Sequence, residues 1–175
     1  IPEICNAGGI KYYYHCRGNT DHCLYKWRAP SGAELLVYRE PDWYNGEIHP
    51  RMAAILPEFC KMYGVASMLK VYGVGDHGGG PTRRDIERII DMATWPIQPV
   101  IKFGLYRDFF AEAESHTEKI PIITGEQNFI FTGCYTSQSR IKMANRIGEA
   151  RLFDAEQLAA ISKSIGGQDF SKHMT

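Results

Sequence analysis

The chain has 175 residues, a formal net charge of +0 and 44% hydrophobic residues, enough length and apolar content for an ordinary globular domain and too much for a disordered one. Balanced charge lacks the basic footprint of a nucleic-acid binder, and no apolar run approaches the roughly 18 residues that span a bilayer. Neither nucleic acid nor a membrane is expected as a partner.

The chain starts at Ile1 with no initiator Met and no basic-then-apolar leader, and runs straight into a helix-like Pro2-Glu3-Ile4, so it reads as a piece of a longer polypeptide. Ile10 to Tyr14 is strand-like, and His15 and Arg17 just beyond it would place a cation at the strand's end. Five cysteines, Cys5, Cys16, Cys23, Cys60 and Cys134, form no CxxC pair, which fits neither a disulfide framework nor a zinc finger and suggests small buried hydrophobes in a reducing, cytoplasmic setting. His22, His49, His116 and His173 lack HxH or HxxxH spacing and read as surface or packing residues.

Pro30-Ser31-Gly32 reads as a turn between two strands, the second being Glu34 to Glu40. From residue 34 a strand, loop and helix unit repeats. Pro50 to Tyr63 places Met52, Ile55, Leu56, Phe59 and Met62 at helical spacing, and Gly64 ends it. Met68 to Tyr72 is the next expected strand, followed by a glycine loop and a helix over Pro81 to Ala93 with Pro at its first position. Pro99 to Phe103, Tyr106 to Ser115 and Ile120 to Thr124 are the third strand, third helix and fourth strand. This alternation predicts the α/β class, with a partial (β/α) barrel-like parallel sheet. Ser137 to Ser164 reads as one long amphipathic helix stopped by Gly166-Gly167, a helix that begins a bundle. The expected domains are 1–133, α/β, and 134–175, helical.

In a parallel sheet ligands sit beyond the carboxyl ends of the strands. The loops Arg39 to Tyr44, Gly73 to Gly80, Phe103-Gly104 and Gly125 to Asn128 would then share one face. In Val71 to Thr82, VYGVGDHGGGPT, six of the twelve residues are Gly or Pro, so backbone can approach a ligand closely while Asp76 and His77 project from it. In Tyr25 to Ile48, YKWRAPSGAELLVYREPDWYNGEI, the side chains of Trp27, Arg39, Glu40, Asp42, Trp43 and Tyr44 combine rings with charged hydrogen-bonding groups. Rings cover the C–H face of a sugar while charged groups take its hydroxyls. Gly73, Gly75 and Gly78 also spell GxGxxG, so a nucleotide- or dinucleotide-binding module is the alternative. Against it, Asp76 would lie where a pyrophosphate needs neutral amides, and no acidic residue follows the next strand.

YGVGDHGGGPT resembles the glycine-rich signature of glycoside hydrolase family 38 α-mannosidases. KWRAPSGAELLVYRE is similar to the family's hairpin feeding the substrate pocket, and GEQNFIFTGCYTSQSRIKMANRIGEARLFDAE to the segment joining its catalytic domain to a three-helix bundle. The resemblance implies retaining hydrolysis of α-mannosides in glycans, with an Asp nucleophile and a carboxyl proton donor about 5 Å apart. It also implies one zinc, held by a His-x-Asp pair, the nucleophile and a further His, the first three expected upstream of Ile1. Within this chain it points to Asp76 as general acid, with His77 as the alternative or a hydroxyl-binding partner. Arg17, Trp43 and Tyr44 would line the mannose pocket with Gly78 and Gly79, while Arg39 and Glu40 line or buttress it. Many relatives carry a zinc-binding His before the Gly matching Gly133, whereas this chain reads Phe131-Thr132, leaving Cys134 as a weak substitute ligand. A non-catalytic interaction domain that self-associates through the long helix is a third reading.

Overall fold

A computed structural model describes residues 1–18, 20–75, 78–128 and 138–170. The chain divides into two compact units, Ile1–Ile130 and Phe131–Thr175. The first contains helix α1 (Pro2–Ala7), strands β1 (Tyr12–His15), β2 (Leu24–Arg28) and β3 (Glu34–Arg39), helices α2 (Leu56–Tyr63), α3 (Arg83–Met92) and α4 (Tyr106–Glu114), and strand β4 (Ile122–Thr124). Short 3-10 turns cover Pro50–Ile55 and Thr117–Lys119.

The four strands form an open sheet in the order β1-β3-β2-β4. β1 pairs with β3 in parallel, β2 with β3 antiparallel, and β4 with β2 in parallel. The sheet is therefore mixed, which corrects the expected parallel sheet, and its four strands lie open. The cause is local. The tight turn at Pro30-Ser31-Gly32, closed by Ala29 N–H to Ala33 O at 2.9 Å, can only return the chain antiparallel, since a parallel return needs a dozen or more residues. Gly32 takes φ +90, a left-handed conformation that suits a residue without a Cβ.

Two further expectations fail. Met68–Tyr72 and Pro99–Phe103 are not strands. An apolar run becomes a strand only if another strand takes its backbone groups, and side chains take them in the first segment. Tyr38 Oη donates to Leu69 O, and Val71 N–H donates to Glu40 Oε2 at 3.4 Å. The second segment begins with a proline and leaves Val100 and Phe103 exposed at 83% and 65%, so no sheet face receives it.

Side chains alternate across the central strands. Leu24, Leu36 and Tyr38 face Phe59 and Tyr63 of α2 and Phe109, Phe110 and Ala113 of α4. On the other face Tyr25, Trp27, Leu35 and Val37 pack together, with Cys5 of α1, Tyr13 and Ile123 against them. Both faces of β2 and β3 are thus buried, which explains why these strands read as near-continuous apolar runs. Tyr12 stacks on Phe110 at 4.9 Å and Tyr38 meets Phe109 edge-on at 5.0 Å.

The helices follow local chemistry closely. Pro57 lacks the N–H that a continuous helix would donate to Ala53, so the single helix expected over 50–63 becomes a 3-10 turn followed by α2. Gly64, at φ +73, ends α2 with its N–H on Cys60 O. α3 starts after Thr82, whose side chain accepts from Asp85 N while the Asp85 carboxylate accepts from Thr82 N. Pro81 therefore precedes the cap instead of opening the helix. Among the helix's apolar residues Ile86, Ile89, Ile90 and Met92, only Ile89 and Met92 are buried, against Ile48.

In the second unit, helix α5 (Ser139–Ser164) ends beside Gly166, at φ +77. Its large apolar residues, among them Ile141, Leu152 and Leu158, are exposed. No helix among the described residues is long and apolar enough to cross a membrane.

Candidate functional site

Because β1 and β3 run parallel in the register His15↔Arg39, the segments that follow them leave the sheet side by side. The first carries His15, Cys16 and Arg17, the second Glu40 to Gly46. They meet where the Arg17 guanidinium lies 4.8 Å from the centre of the Trp43 ring, a cation–π contact. Trp43 in turn sits 5.3 Å from Tyr44, tilted by 32°. Exposure separates the two tryptophans singled out in this region. Trp27 is 5% exposed and its indole N–H donates to Gly125 O, whereas Trp43 is 40% exposed. Trp27 is core, and Trp43 presents a ring to solvent.

The glycine segment packs against this aromatic pair. Gly73 N–H donates to Gly46 O at 3.4 Å, and a Cβ at Gly75 would lie 2.6 Å from Asn45 Cβ and 3.0 Å from Tyr44 Cε2. The loop then folds back on itself, with Gly75 bridged to Gly79 and Val74 N–H on Gly80 O at 3.2 Å. Gly73, Gly75 and Gly78 take φ of +123, +73 and +94, and a Cβ at Gly73 would meet Gly80 backbone at 2.9 Å. Glycine is required here for close approach as well as for backbone conformation. Gly75→Ala is expected to destabilise the chain by about 1–2 kcal/mol from the left-handed backbone alone, and by more through the Asn45 clash. Urea unfolding would measure it, and an unchanged midpoint would show that the loop is not packed as described.

Three of the expected site segments therefore meet in sequence, Arg17 on Trp43, Trp43 beside Tyr44, and Tyr44 against Gly75. Asp76 and His77 lie outside the described residues, as does Cys134. Arg39 points elsewhere, its guanidinium donating to Asp21 O and His22 O, each at 3.2 Å. It braces the loop before β2. Gly79 lies in the bridge with Gly75, and Gly78 lies in the turn it closes.

The shared rim of four strand ends is corrected. β4 runs antiparallel to β3, so Thr124 pairs with Arg28 at the hairpin end of the sheet, and Gly125 departs from the edge opposite Arg39. Phe103-Gly104 follows no strand. The chain does return, because Gln127 Oε1 lies 3.3 Å from where a Gly18 Cβ would be, beside the loop that bears Arg17.

His15 is fully engaged. Its Nδ1 donates to Arg17 O, and its Nε2 accepts from the Tyr25 hydroxyl at 2.7 Å. The carbonyl can only accept, which sets the neutral Nδ1–H tautomer. Burial holds the imidazole below its ordinary pKa, with Arg39 acting in the same direction against the raising effect of the Arg17 carbonyl. Of the two cations expected after β1, the one that reaches Trp43 is Arg17. His15 sets the course of the Arg17 loop from the floor of the sheet. With the folded pKa lowered, the unfolded chain binds the extra proton, so stability is present above about pH 6.5 and is lost as pH falls below it. Thermal unfolding between pH 7.5 and 5 should show this slope, and His15→Gln should reduce it.

Glu40, 0% exposed, is the buried charge of the site. It accepts from Lys70 Nζ at 2.9 Å, from Tyr14 Oη at 3.3 Å and from Val71 N–H at 3.4 Å. Burial raises its pKa, and Lys70 offsets part of that rise. Lys70 escaped the sequence reading. The signal was a lone cation inside the apolar run Met68-Leu69-Lys70-Val71, which implies a buried partner.

Among the described residues no three His, Cys, Asp or Glu side chains gather in a way that could hold a metal. They do not fit a zinc centre.

Residues 1–133 match the family described as "Glycosyl hydrolases family 38 N-terminal domain". The chain belongs to glycosyl hydrolase family 38. It is 33% identical over 170 residues to "Alpha-mannosidase G" of Dictyostelium discoideum, an overlap covering 91% of this chain and 16% of that protein. Against "Alpha-mannosidase" of Saccharomyces cerevisiae the identity is 28%, covering 91% and 16%. Against human "Alpha-mannosidase 2C1" it is 25%, covering 96% and 17%. The chain thus spans about one-sixth of the length of the curated relatives it matches.

Proposed function

We propose that this chain forms one wall of the sugar pocket in a longer, zinc-dependent α-mannosidase that cleaves α-mannosidic bonds of glycans with retention of configuration. The observation that carries the reading is the chain of contacts from Arg17 to Trp43, from Trp43 to Tyr44 and from Tyr44 to Gly75 of the glycine segment, in a chain that belongs to family 38. The exposed Trp43 ring would cover the C–H face of a mannose ring, and the Arg17 guanidinium beside it would donate to hydroxyls.

Asp76 is the proposed general acid. In the first step a carboxylate outside this set attacks the anomeric carbon and forms a glycosyl ester while Asp76 gives its proton to the departing oxygen. In the second step Asp76 takes a proton from water as that water attacks the same carbon and releases the carboxylate. His77 is the alternative donor, or a hydroxyl-binding group. The zinc ligands are proposed to lie outside the described residues, with Cys134 the weakest choice. The apolar surface of α5 fits a helical domain beginning near residue 134 that needs further helices to cover it. Thiols at Cys5, Cys23 and Cys60 are in keeping with a cytoplasmic location.

The test is hydrolysis of an aryl α-mannoside by the full-length parent, followed by NMR of the newly formed sugar, which should appear first as the α-anomer. The present chain alone should be inactive, because its nucleophile is elsewhere; zinc-dependent activity of the isolated chain would overturn that assignment.

The dinucleotide alternative is not favoured. The segment Met68–Tyr72 leading directly into the glycine loop is not a strand, the loop closes on itself at Gly75 and Gly79, and Pro81-Thr82 separates it from α3. A pyrophosphate site needs a strand leading directly through the glycines into a helix N-terminus. Titration with NAD or ATP should leave tryptophan fluorescence unchanged.

A further inference from the structure

The aromatic wall is carried on an irregular loop, yet a sugar-stacking ring must hold its plane to within a fraction of an ångström to be useful. Something has to hold the loop still. Within it Gly46 N–H to Trp43 O at 3.2 Å closes a turn, and Gly73 N–H reaches Gly46 O. Lys70 is a further anchor. Its ammonium lies 2.9 Å from Glu40 Oε1, 3.4 Å from the carbonyl oxygen of Trp43 and 3.8 Å from Asp42 Oδ2. Lys70 is 13% exposed at its side chain and Glu40 0%, so the pair is shielded from the screening that weakens surface ion pairs.

We infer that Lys70 and Glu40 form a positioning strut for sugar recognition, in which the Lys70 ammonium, anchored on the buried Glu40 carboxylate, holds the Trp43 main chain and so fixes the ring plane. The inference rests on the sugar-pocket reading proposed above. Three features give it substance. Glu40 directly follows β3 and is tied at its backbone, with N–H on His15 O at 2.9 Å, so its carboxylate is held by the rigid sheet. Val71 N–H is bound to the same carboxylate, so the strand-like run leading to Gly73 shares the anchor. Gly46 lies against both groups, since a Cβ there would be tight on Trp43 O at 3.3 Å and in ordinary contact with Lys70 Nζ at 3.6 Å. One carboxylate therefore sets the relation between the aromatic loop and the glycine loop, the two segments that meet at the site.

The experiment measures kcat and KM of the full-length parent on a short α-mannoside for Lys70→Met, Trp43→Ala and the double variant. Lys70→Met is expected to raise KM about 10-fold with kcat within about 2-fold, because a displaced ring weakens binding without touching the reacting atoms. On the Trp43→Ala background the same change should add less than about 2-fold, as it must if Lys70 acts through Trp43. If Trp43→Ala raises KM but Lys70→Met does not, or if the two add fully, the strut is wrong while the pocket reading stands. If Trp43→Ala itself leaves KM unchanged, the pocket reading fails and the inference falls with it. Should Lys70→Met not fold, Glu40→Gln with Lys70→Met removes both charges together and leaves no unpaired ion. That pair should still raise KM about 10-fold, because Trp43 O has lost its donor, and an unchanged KM would overturn the strut.

Discussion

Asp76→Asn in the full-length parent should lower kcat by about 10²–10⁴-fold on mannosides with a sugar leaving group, the range typical for loss of a positioned general acid. The substrate dependence is the more decisive part. A sugar alkoxide is a poor leaving group and needs its proton, whereas a nitrophenolate leaves without one. The variant should therefore retain far more of its first-step rate on an activated aryl mannoside than on a disaccharide. The alkaline limb of the kcat/KM profile, which reports the acid losing its proton, should flatten in the variant. If Asp76→Asn behaves as wild type and His77→Asn shows this pattern instead, the proton donor is His77. If neither does, the glycine loop carries no acid, and the proposed mechanism loses its link to this chain.

The second large effect is on stability and involves Lys70→Met in the chain itself. With its partner gone, the Glu40 carboxylate would stay buried at 0% exposure with Tyr14 and Val71 as its donors among the described residues. Removing one partner of a buried pair typically costs about 3–5 kcal/mol, a large part of the stability of most domains. The pH dependence identifies the cause. Glu40 already titrates above its ordinary range because of burial, and Lys70 is the chief offset to that rise, so losing Lys70 pushes it further up. A raised folded pKa means that the native state holds the proton more tightly. The stabilisation is then present at low pH and is lost as pH climbs from the ordinary carboxylate range through the folded value. Urea midpoints of Lys70→Met should lie nearest wild type at about pH 5 and furthest at pH 8, with most of the loss recovered in Glu40→Gln/Lys70→Met. A deficit independent of pH would mean that lost packing of the lysine stem, and not an unpaired charge, is responsible.

Local chemistry was legible in the amino-acid order. Pro30-Ser31-Gly32 announced the hairpin, Gly64 and Gly166 the helix ends, and the near-continuous apolar run Glu34 to Glu40 the strand that forms β3. The rows of motifs around Trp43 and the glycine loop also pointed to segments that do meet, because each pattern is written in residues only a few positions apart. Family membership followed from the same segments.

What needed the tertiary structure was every decision that depends on a distant partner. Met68–Tyr72 has a strand's composition, but its Leu69 carbonyl and Val71 N–H are taken by Tyr38 and Glu40 side chains, so it runs beside the sheet without joining it. Apolar composition reports that a segment is buried, and only the partner decides whether its hydrogen bonds go to a strand or to side chains. The direction of β4 likewise follows from its pairing with β2, and it sends Gly125 to the far edge of the sheet. Arg39 reads as a pocket residue beside Trp43, yet its guanidinium fills the carbonyls of Asp21 and His22. Lys70 reads as an interruption of an apolar run, and becomes the anchor of the aromatic loop only because folding brings Glu40 within 2.9 Å of it.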